Sequence, residues 1–402
     1  MDFSRVRLDT EQEFLAEVRA FVAEHVTGEV LEEERRTGSG FNERVHLALG
    51  EKGWIMPAWP ADRGGAGLDP VRVHLLDLLT RRSGMPTVTL GTTRLVVKAV
   101  ERYAEPGLAA DVLPRIAAGT ARCCLGYTEP DGGSDIAAAK TRAVRDGDEW
   151  VVNGSKIFTT GAQNCQYAFL ITRTDPELAK HRGLTMFLVP LGSDGVEIQG
   201  IRTFGGERTN IVYYSDVRIS DRYRLGGMND GWTVLRGPLD EEHNFGQKGS
   251  AVQIGGTSLG ATYVYPLERA LDSALTWVCT TTRRDGSRPV DDRSVLYRLG
   301  QVAIDMQAGQ VTPGPMGRVK ASDALVHGAA ELMNLVGTAA LLSEGSPGAE
   351  AAGAIEFAHR FAQGTATYGG TVEIFRQMIA QHVLGLPRPA YPGSKVLVSN
   401  FR

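Results

Sequence analysis

The sequence predicts an α+β protein in which a β-sheet domain is inserted between two helical domains. Apolar residues recur at helical spacing before about residue 120 and again after Trp232, whereas the stretch between alternates short β-branched or aromatic runs with turn dipeptides. With 402 residues, the chain is long enough for two or three average domains. The predicted boundaries are 1–120 for an N-terminal helical domain, 121–228 for a middle β domain, 229–390 for a C-terminal helical domain and 391–402 for an exposed tail.

In the N-terminal domain, Thr10 and Glu13 form a possible capping box at the start of a first helix. Its apolar face consists of residues at helical spacing, namely Phe14, Val18, Phe21 and His25. Residues 51–70 are rich in glycine and proline and predict a loop. Helical spacing then predicts two further helices, Val71 to Arg82 and Thr93 to Tyr103.

The middle domain is predicted to consist of short strands joined by tight turns. The dipeptides Asp146-Gly147 and Asn153-Gly154 flank a predicted strand from Glu149 to Val152. Both dipeptides are typical of hairpins, because type I′ turns need positive φ at both central residues. Three more runs predict strands: Tyr167 to Thr172, Leu184 to Pro190 and Ile211 to Ile219.

Helical spacing returns in the C-terminal domain. One face of a predicted helix consists of Leu267, Leu271, Ala274 and Val278. Pro266 is expected to start this helix or to kink it. A second helix is predicted from Ser294 to Gln307, and small residues from Gly345 to Ala352 predict a loop.

Composition excludes several classes of function. The net charge is −4 with both signs mixed along the chain, which argues against a nucleic-acid partner. No apolar run is expected to reach the ~20 residues that span a bilayer, and the amino terminus lacks the features of a signal peptide. The four cysteines have neither a disulfide framework nor zinc-ligand spacing, so we expect a cytoplasmic protein with reduced thiols and no metal site.

Three segments resemble the acyl-CoA dehydrogenase family, and the resemblance extends through nearly the whole chain. They run from Gly126 to Ala162, from Gly205 to Ile219 and from Ala366 to Arg388. The resemblance implies a middle β-sheet domain, of barrel or sandwich type, between an N-terminal helical domain and a C-terminal helical bundle. It also implies an FAD-dependent oxidoreductase that is usually a homotetramer, built as a dimer of dimers, and that passes electrons to an electron-transfer flavoprotein.

By resemblance, the flavin and its pyrophosphate are lined by Leu125, Tyr127, Thr128, Gly133 and Ser134, and Ser134 also lies near the thioester. Phe158 and Thr160 occupy the family's aromatic-x-threonine place beside the flavin ring. The chemistry is reasonable, because small residues let main-chain N–H groups approach phosphate oxygens and an aromatic face packs on a ring system. Taken alone, the same residues are also compatible with an ordinary turn and an ordinary strand.

The C-terminal cofactor residues match the family less closely. Thr371 and Glu373 fall in the family's flavin-contacting turn, and Arg283 matches an arginine that reaches the neighbouring subunit's cofactor. The residues after Arg283 depart from the family's R-x-x-F-G pattern, and a conserved glutamine and double glycine are altered to Asn334, Gly337 and Thr338. An arginine near a helix end is also simply favourable there.

The reaction that the resemblance implies is α,β-dehydrogenation of an acyl thioester, carried either by coenzyme A or by an acyl-carrier protein. It needs one carboxylate against the α-carbon, while a hydride leaves the β-carbon for N5 of FAD. Many members carry this glutamate just before the GT of the C-terminal segment, where this chain has Gly369 and Gly370. Another branch places it early in the large C-terminal helix, and that position is Glu242.

Glu242 is therefore the predicted catalytic base, although acidic residues are also common in first helical turns for electrostatic reasons. His243 replaces the arginine that usually follows this base, and with Tyr368, Gly369 and Ser134 it is expected to contact the substrate. Two alternatives stay open. One is a flavin-dependent monooxygenase or oxidase on the same fold, and the other is a non-catalytic subunit of a mixed oligomer.

Overall fold

The computed structural model describes residues 10–242, 259–349 and 353–387, with side chains except at 238–242 and 259–262. The order of elements is helices, then a sheet, then helices, which confirms the predicted fold class. The helices that precede the sheet are α1 Gln12–His25, α2 Gly28–Thr37, α3 Glu43–Glu51, α4 Pro70–Arg82, α5 Val88–Tyr103 and α6 Pro106–Ala117. The strands are β1 Cys123–Gly126, β2 Arg142–Asp146, β3 Glu149–Lys156, β4 Tyr167–Arg173, β5 Leu184–Pro190, β6 Val196–Arg202, β7 Arg208–Ser220 and β8 Arg224–Leu225. The helices that follow are α7 Gly231–Glu242, α8 Leu259–Thr280, α9 Arg293–Val311, α10 Gly314–Val336, α11 Ala354–Thr365 and α12 Val372–Met378.

The N-terminal helices are amphipathic, as their spacing predicts, but the first cap differs from the prediction. Helix α1 has Glu11 as its N-cap residue and no side-chain capping bond, so the predicted Thr10–Glu13 box is wrong. A capping box needs the threonine at the N-cap itself, and here Thr10 lies one residue too early. Helix α4, in contrast, has Asp69 as its N-cap residue. The Asp69 carboxylate accepts hydrogen bonds from the main-chain N–H groups of Val71 and Arg72.

The eight strands form one sheet with the order β6-β7-β3-β2-β4-β5-β8, and β1 pairs with β4 in parallel. Both faces of β4 and β5 are buried, which explains their nearly continuous apolar sequences. Strand β6 lies at one edge, and its alternation of half-buried and exposed residues is too weak to have predicted it.

The two glycine dipeptides of the middle domain have different structures. Asp146 pairs with Glu149 across a two-residue turn with Gly147 at φ 63°, which is the predicted hairpin. Asn153-Gly154 is not a turn, and the hairpin predicted there is wrong. It is a bulge inside β3, which continues to Lys156, and the Asn153 side chain accepts a hydrogen bond from the main-chain N–H of Asp216 on β7.

The C-terminal helices pack around a core to which the predicted face of α8 contributes. Leu267, Leu271, Ala274 and Val278 are all buried there. Pro266 lies inside α8 rather than at its start. The predicted helix from Ser294 to Gln307 is the central part of α9.

Within the described residues, one stretch is long and apolar enough to cross a membrane, Gly314–Leu341, which the sequence prediction had excluded. We interpret it as a core helix, because α10 packs against α8, α9 and α11. It also carries charged residues, and Lys320 forms an ion pair with Asp305.

Substitution of Gly154 tests the bulge, with Gly147 as a matched control. Both glycines have positive φ, so alanine introduces backbone strain at either position. A Cβ at Gly154 would also lie 2.8 Å from the Cα of Thr141, whereas a Cβ at Gly147 meets nothing within 4 Å. We expect Gly154→Ala to lower the free energy of unfolding by about 2–4 kcal/mol and Gly147→Ala by about 1 kcal/mol, measured by urea denaturation. Equal losses would contradict the bulge.

Candidate functional site

A buried ion pair fixes the loop that follows β1. Lys156, at the end of β3, is fully buried, and its Nζ lies 2.7 Å from Oε1 of Glu129. The Glu129 carboxylate also accepts hydrogen bonds from the main-chain N–H groups of Lys140 and Thr141, at 2.7 and 2.8 Å. Lys156 donates a further bond to the main-chain carbonyl of Tyr127. The loop is therefore held to β3 at both of its ends.

The two pKa shifts leave this pair charged near neutral pH. Burial lowers the pKa of Lys156 to about 8, although Glu129 opposes the shift. Burial acts to raise the pKa of Glu129, but Lys156 and the bonds from Thr141 outweigh it, so this pKa lies below its usual value.

The predicted flavin-side residues of this loop lie close together on an accessible surface. Leu125 is half-buried in β1, and the Tyr127 ring packs edge-on to Phe169. Gly133 and Ser134 are exposed, and a Cβ added to Gly133 would contact only a Thr128 methyl group, at 3.5 Å. The backbone here is open to a ligand.

Phe158 has a strained backbone that presents its ring to solvent. Its φ is 58°, in the left-handed region, and its side chain is 60% exposed. Hydrogen bonds on both sides maintain this conformation: the Ile157 N–H donates to the Thr128 carbonyl and the Thr159 N–H donates to the Asn210 carbonyl. A left-handed residue other than glycine costs about 1–2 kcal/mol, and such strain is concentrated at functional sites.

Thr160 follows directly and is only half-buried. Its hydroxyl lies 3.1 Å from the hydroxyl of Thr209 at the start of β7. An exposed aromatic ring beside a fixed hydroxyl, near the open backbone at Gly133, fits a flat ring system with an attached phosphate. The residues present are therefore compatible with FAD.

On the C-terminal side, one buried arginine organises the turn after α11. The Nη2 of Arg318 donates to the main-chain carbonyls of Thr365, Tyr368 and Gly370, at 2.7, 2.8 and 3.3 Å. The guanidinium is 2% exposed and stacks on two rings, those of Tyr263 and Phe375.

Sequence reasoning missed Arg318, although a signal was present. It lies at helical spacing with the buried Ala321, Leu325 and Ala329, and a charged residue on an apolar helix face needs a buried partner. Its partners are main-chain carbonyls, which a sequence does not identify.

The turn itself contains Gly369 at φ 58° and Gly370 at φ 95°. These conformations favour glycine, and neither residue supplies a carboxylate. Tyr368 connects the turn to the middle domain, because its hydroxyl donates a hydrogen bond to Oε2 of Glu207 at 3.2 Å. Burial raises the pKa of Tyr368 to about 12, so the hydroxyl stays protonated. Glu207 in turn lies two residues before Thr209, so these contacts bring the turn close to the Phe158 side.

The predicted base lies at the edge of the described chain. Glu242 is the last residue of α7, and its side chain is not among those described. His243 lies outside the described residues. The roles of both residues stay predictions.

The remaining predicted cofactor residues lie within the helical domain. Arg283 forms an ion pair with Asp292, the N-cap residue of α9, and Asn334 and Gly337 are exposed at the end of α10. Among the described residues, none of these three has a hydrogen bond or ion pair to the middle domain. Such positions are compatible with contacts to a neighbouring subunit.

Thr371 and Glu373 lie at the start of α12, next to the glycine turn. Thr371 is the N-cap residue, and its hydroxyl accepts a hydrogen bond from the Ile374 N–H at 3.2 Å. Glu373 is exposed in the first turn.

Comparison with known proteins identifies relatives along most of the chain. Residues 9–120 match the family model "Acyl-CoA dehydrogenase, N-terminal domain", and residues 124–218 match "Acyl-CoA dehydrogenase, middle domain". Acyl-CoA dehydrogenase FadE26 of Mycobacterium tuberculosis is 31% identical over 94% of this chain and 97% of its own length.

Two solved structures are similar in fold and sequence. The ChsE4–ChsE5 complex of Mycobacterium tuberculosis superposes with a TM-score of 0.81 at 29% identity, covering 95% of this chain and 98% of the other. The Tcur3481–Tcur3483 steroid ACAD superposes with a TM-score of 0.80, with the same identity and coverage.

Replacement of Arg318 by lysine is expected to destabilise the protein although the charge is kept. A lysine ammonium sits on a shorter side chain and lacks the flat guanidinium, so some carbonyls of the turn lose their donor and the stacking on the two rings is lost. We expect Arg318→Lys to lower the free energy of unfolding by about 2–3 kcal/mol in urea denaturation. Arg376→Lys, at an exposed ion pair with Asp323, is the control and should cost under about 1 kcal/mol. Equal effects would show that the three carbonyl bonds contribute little.

The Tyr368–Glu207 contact predicts a pH-dependent stability. Burial raises the pKa of Glu207, and the bonds from Thr203 and Tyr368 partly oppose the shift. A carboxyl group with a raised pKa stabilises the fold most below its ordinary value of 4.5, and this stability is lost as pH rises through the folded pKa. Tyr368→Phe removes a donor to the carboxylate, so the loss on going to neutral pH should become larger.

The measurement is the urea midpoint as a function of pH for the parent and Tyr368→Phe. In a Glu207→Gln background, the same tyrosine substitution should leave the pH dependence unchanged, because the titrating group is gone. An equal effect in both backgrounds would assign the pH dependence to another group.

Proposed function

Because the chain belongs to the acyl-CoA dehydrogenase family, we propose that it desaturates an acyl thioester between C2 and C3, with Glu242 as the base. The Glu242 carboxylate takes a proton from C2, a hydride leaves C3, and the electrons left on C2 form the new double bond. When bound, FAD supplies the hydride acceptor, its N5 atom. The observation that carries the choice of base is the turn at Gly369 and Gly370, where positive φ and absent side chains exclude a carboxylate.

The remaining roles follow from the positions of the described side chains. The exposed Phe158 ring and the Thr160 hydroxyl support the flavin from the middle domain, while the open backbone at Gly133 and Ser134 receives its phosphates. The Tyr368–Thr371 turn, held by Arg318, borders the thioester from the other side. Helix α7, which ends at Glu242, is anchored by the fully buried Val234 and Leu235.

We propose a fused-ring acyl group, carried by coenzyme A, as the substrate class. One similar structure is described as a steroid ACAD. Two consecutive glycines in the turn carry no side chain at the place where other members have a glutamate, which favours a bulky group next to the thioester. A straight-chain thioester would fill this space less completely and bind more weakly.

We also propose that the enzyme works as an oligomer with a second, related chain or with its own copies. The similar structures ChsE4–ChsE5 and Tcur3481–Tcur3483 are named as pairs of proteins. On α9, Tyr297, Ile304 and Val311 are spaced seven residues apart on one helical face and are 68%, 62% and 51% exposed. Another subunit would cover this stripe, and Ile304→Asp should then lower the mass measured by light scattering.

Glutamine at position 242 tests the mechanism. With the FAD-loaded protein under anaerobic conditions, we expect Glu242→Gln to slow flavin bleaching by the thioester about 10²–10⁴-fold, because proton removal loses its acceptor. Glu241→Gln is the matched control, since adjacent helical residues point about 100° apart, and should bleach close to the parent rate. Equal rates for both variants would remove Glu242 from the mechanism.

The same experiment separates the rival functions. A monooxygenase needs a separate reductant, so its flavin would not bleach with thioester alone. An oxidase would bleach, because the thioester reduces its flavin, but it would be reoxidised rapidly when oxygen is admitted. A non-catalytic subunit would purify without FAD and would acquire colour and activity only when produced together with its partner. A panel of fused-ring and straight-chain thioesters then tests the substrate class through KM.

A further inference from the structure

A cavity of about 350 Å³ lies where the end of α2 meets the edge strand β6 and the start of β7. Its lining includes three arginines, Arg36 from α2, Arg202 from β6 and Arg208 from β7. Arg202 and Arg208 face each other directly in the β6–β7 register. Neither the flavin-side residues nor the glycine turn contribute to this cavity.

The backbone is adapted to hold one of these guanidinium groups flat. A Cβ added to Gly200 would lie 3.0–3.1 Å from three guanidinium atoms of Arg208. Because Gly200 has no side chain, the Arg208 fork lies across β6 at contact distance. Its Nε donates to Oδ1 of Asn210 at 3.3 Å, which leaves the two Nη groups for another acceptor.

Among the described residues, none of the three arginines forms an ion pair. Arg202 donates to the main-chain carbonyl of Arg36, which offsets the partial negative charge at the carboxyl end of α2. The adjacent Arg35, in contrast, pairs with Glu32. The three guanidinium groups around this small cavity repel one another. An anion bound between them would replace this repulsion by attraction.

We propose that this cavity binds the phosphate or diphosphate group of a nucleotide. Arginine forks match phosphate oxygens in bidentate fashion, and the volume is in the range of small-molecule sites. The site is also connected to the flavin side of the molecule. Asn210, which accepts from Arg208, donates to the carbonyl of Thr159 at 2.9 Å, next to Phe158. A bound phosphate would therefore restrict the motion of the segment that contains Phe158.

The direct test is a calorimetric titration of the FAD-loaded protein with inorganic pyrophosphate. We expect saturable binding that weakens about tenfold in Arg36→Gln and again in Arg208→Gln, because each loses a charge-assisted bond. Arg19→Gln is the control, since it removes the same charge from an exposed position on α1 and should bind like the parent. The Arg36 side chain has no bond within the described residues, so Arg36→Gln should melt at the parent temperature.

Two further measurements identify the source of the phosphate. If the site holds the phosphates of coenzyme A, Arg36→Gln raises KM for the thioester and leaves kcat unchanged. If it takes a free nucleotide, ADP binding weakens in this variant while KM and kcat for the thioester stay at the parent values. Absence of pyrophosphate binding at millimolar concentration, or equal binding by parent, Arg36→Gln and Arg208→Gln, overturns the proposal.

Discussion

The ion pair between Lys156 and Glu129 is the interaction on which the flavin side of the structure depends. It connects the end of β3 to the loop that contains Gly133 and Ser134. Removal of either partner would leave a buried charge without compensation, which is far more costly than the pair itself. The pair also sets the start of the segment that leads to Phe158, since Lys156 is only two residues away.

The opposite side of the site follows the same physical rule with a different donor. Arg318 is buried among carbonyl groups of the turn, and Tyr368 then reaches across to Glu207 of the middle domain. Both sides thus rely on a buried cationic group whose hydrogen bonds go to loops. Such networks favour a unique arrangement when every member is satisfied. The position of the Phe158 ring relative to the Tyr368–Thr371 turn is therefore fixed by the protein itself, without a bound ligand.

Sequence patterns predicted what depends on local spacing and missed what depends on distant partners. The helix–sheet–helix order, the strand Leu184–Pro190 and the buried face of α8 follow from periodicity, which the backbone geometry enforces locally. The dipeptide Asn153-Gly154 is suited both to a turn and to a bulge, and Asp216, far along the chain, decides between them. Local spacing does not identify the roles of Glu129, Lys156 and Arg318 either, because their partners lie in other segments of the chain. The family resemblance supplied Glu242, which no local pattern distinguishes from its acidic neighbours.

The paired glycines of the C-terminal turn affect the folding of any variant that carries a carboxylate there. Glutamate at either position of this turn would have to adopt a left-handed backbone, at a cost of about 1–2 kcal/mol. It would also disturb the carbonyls that receive Arg318. A carboxylate introduced at this turn would therefore carry a folding cost in addition to any effect on the chemistry.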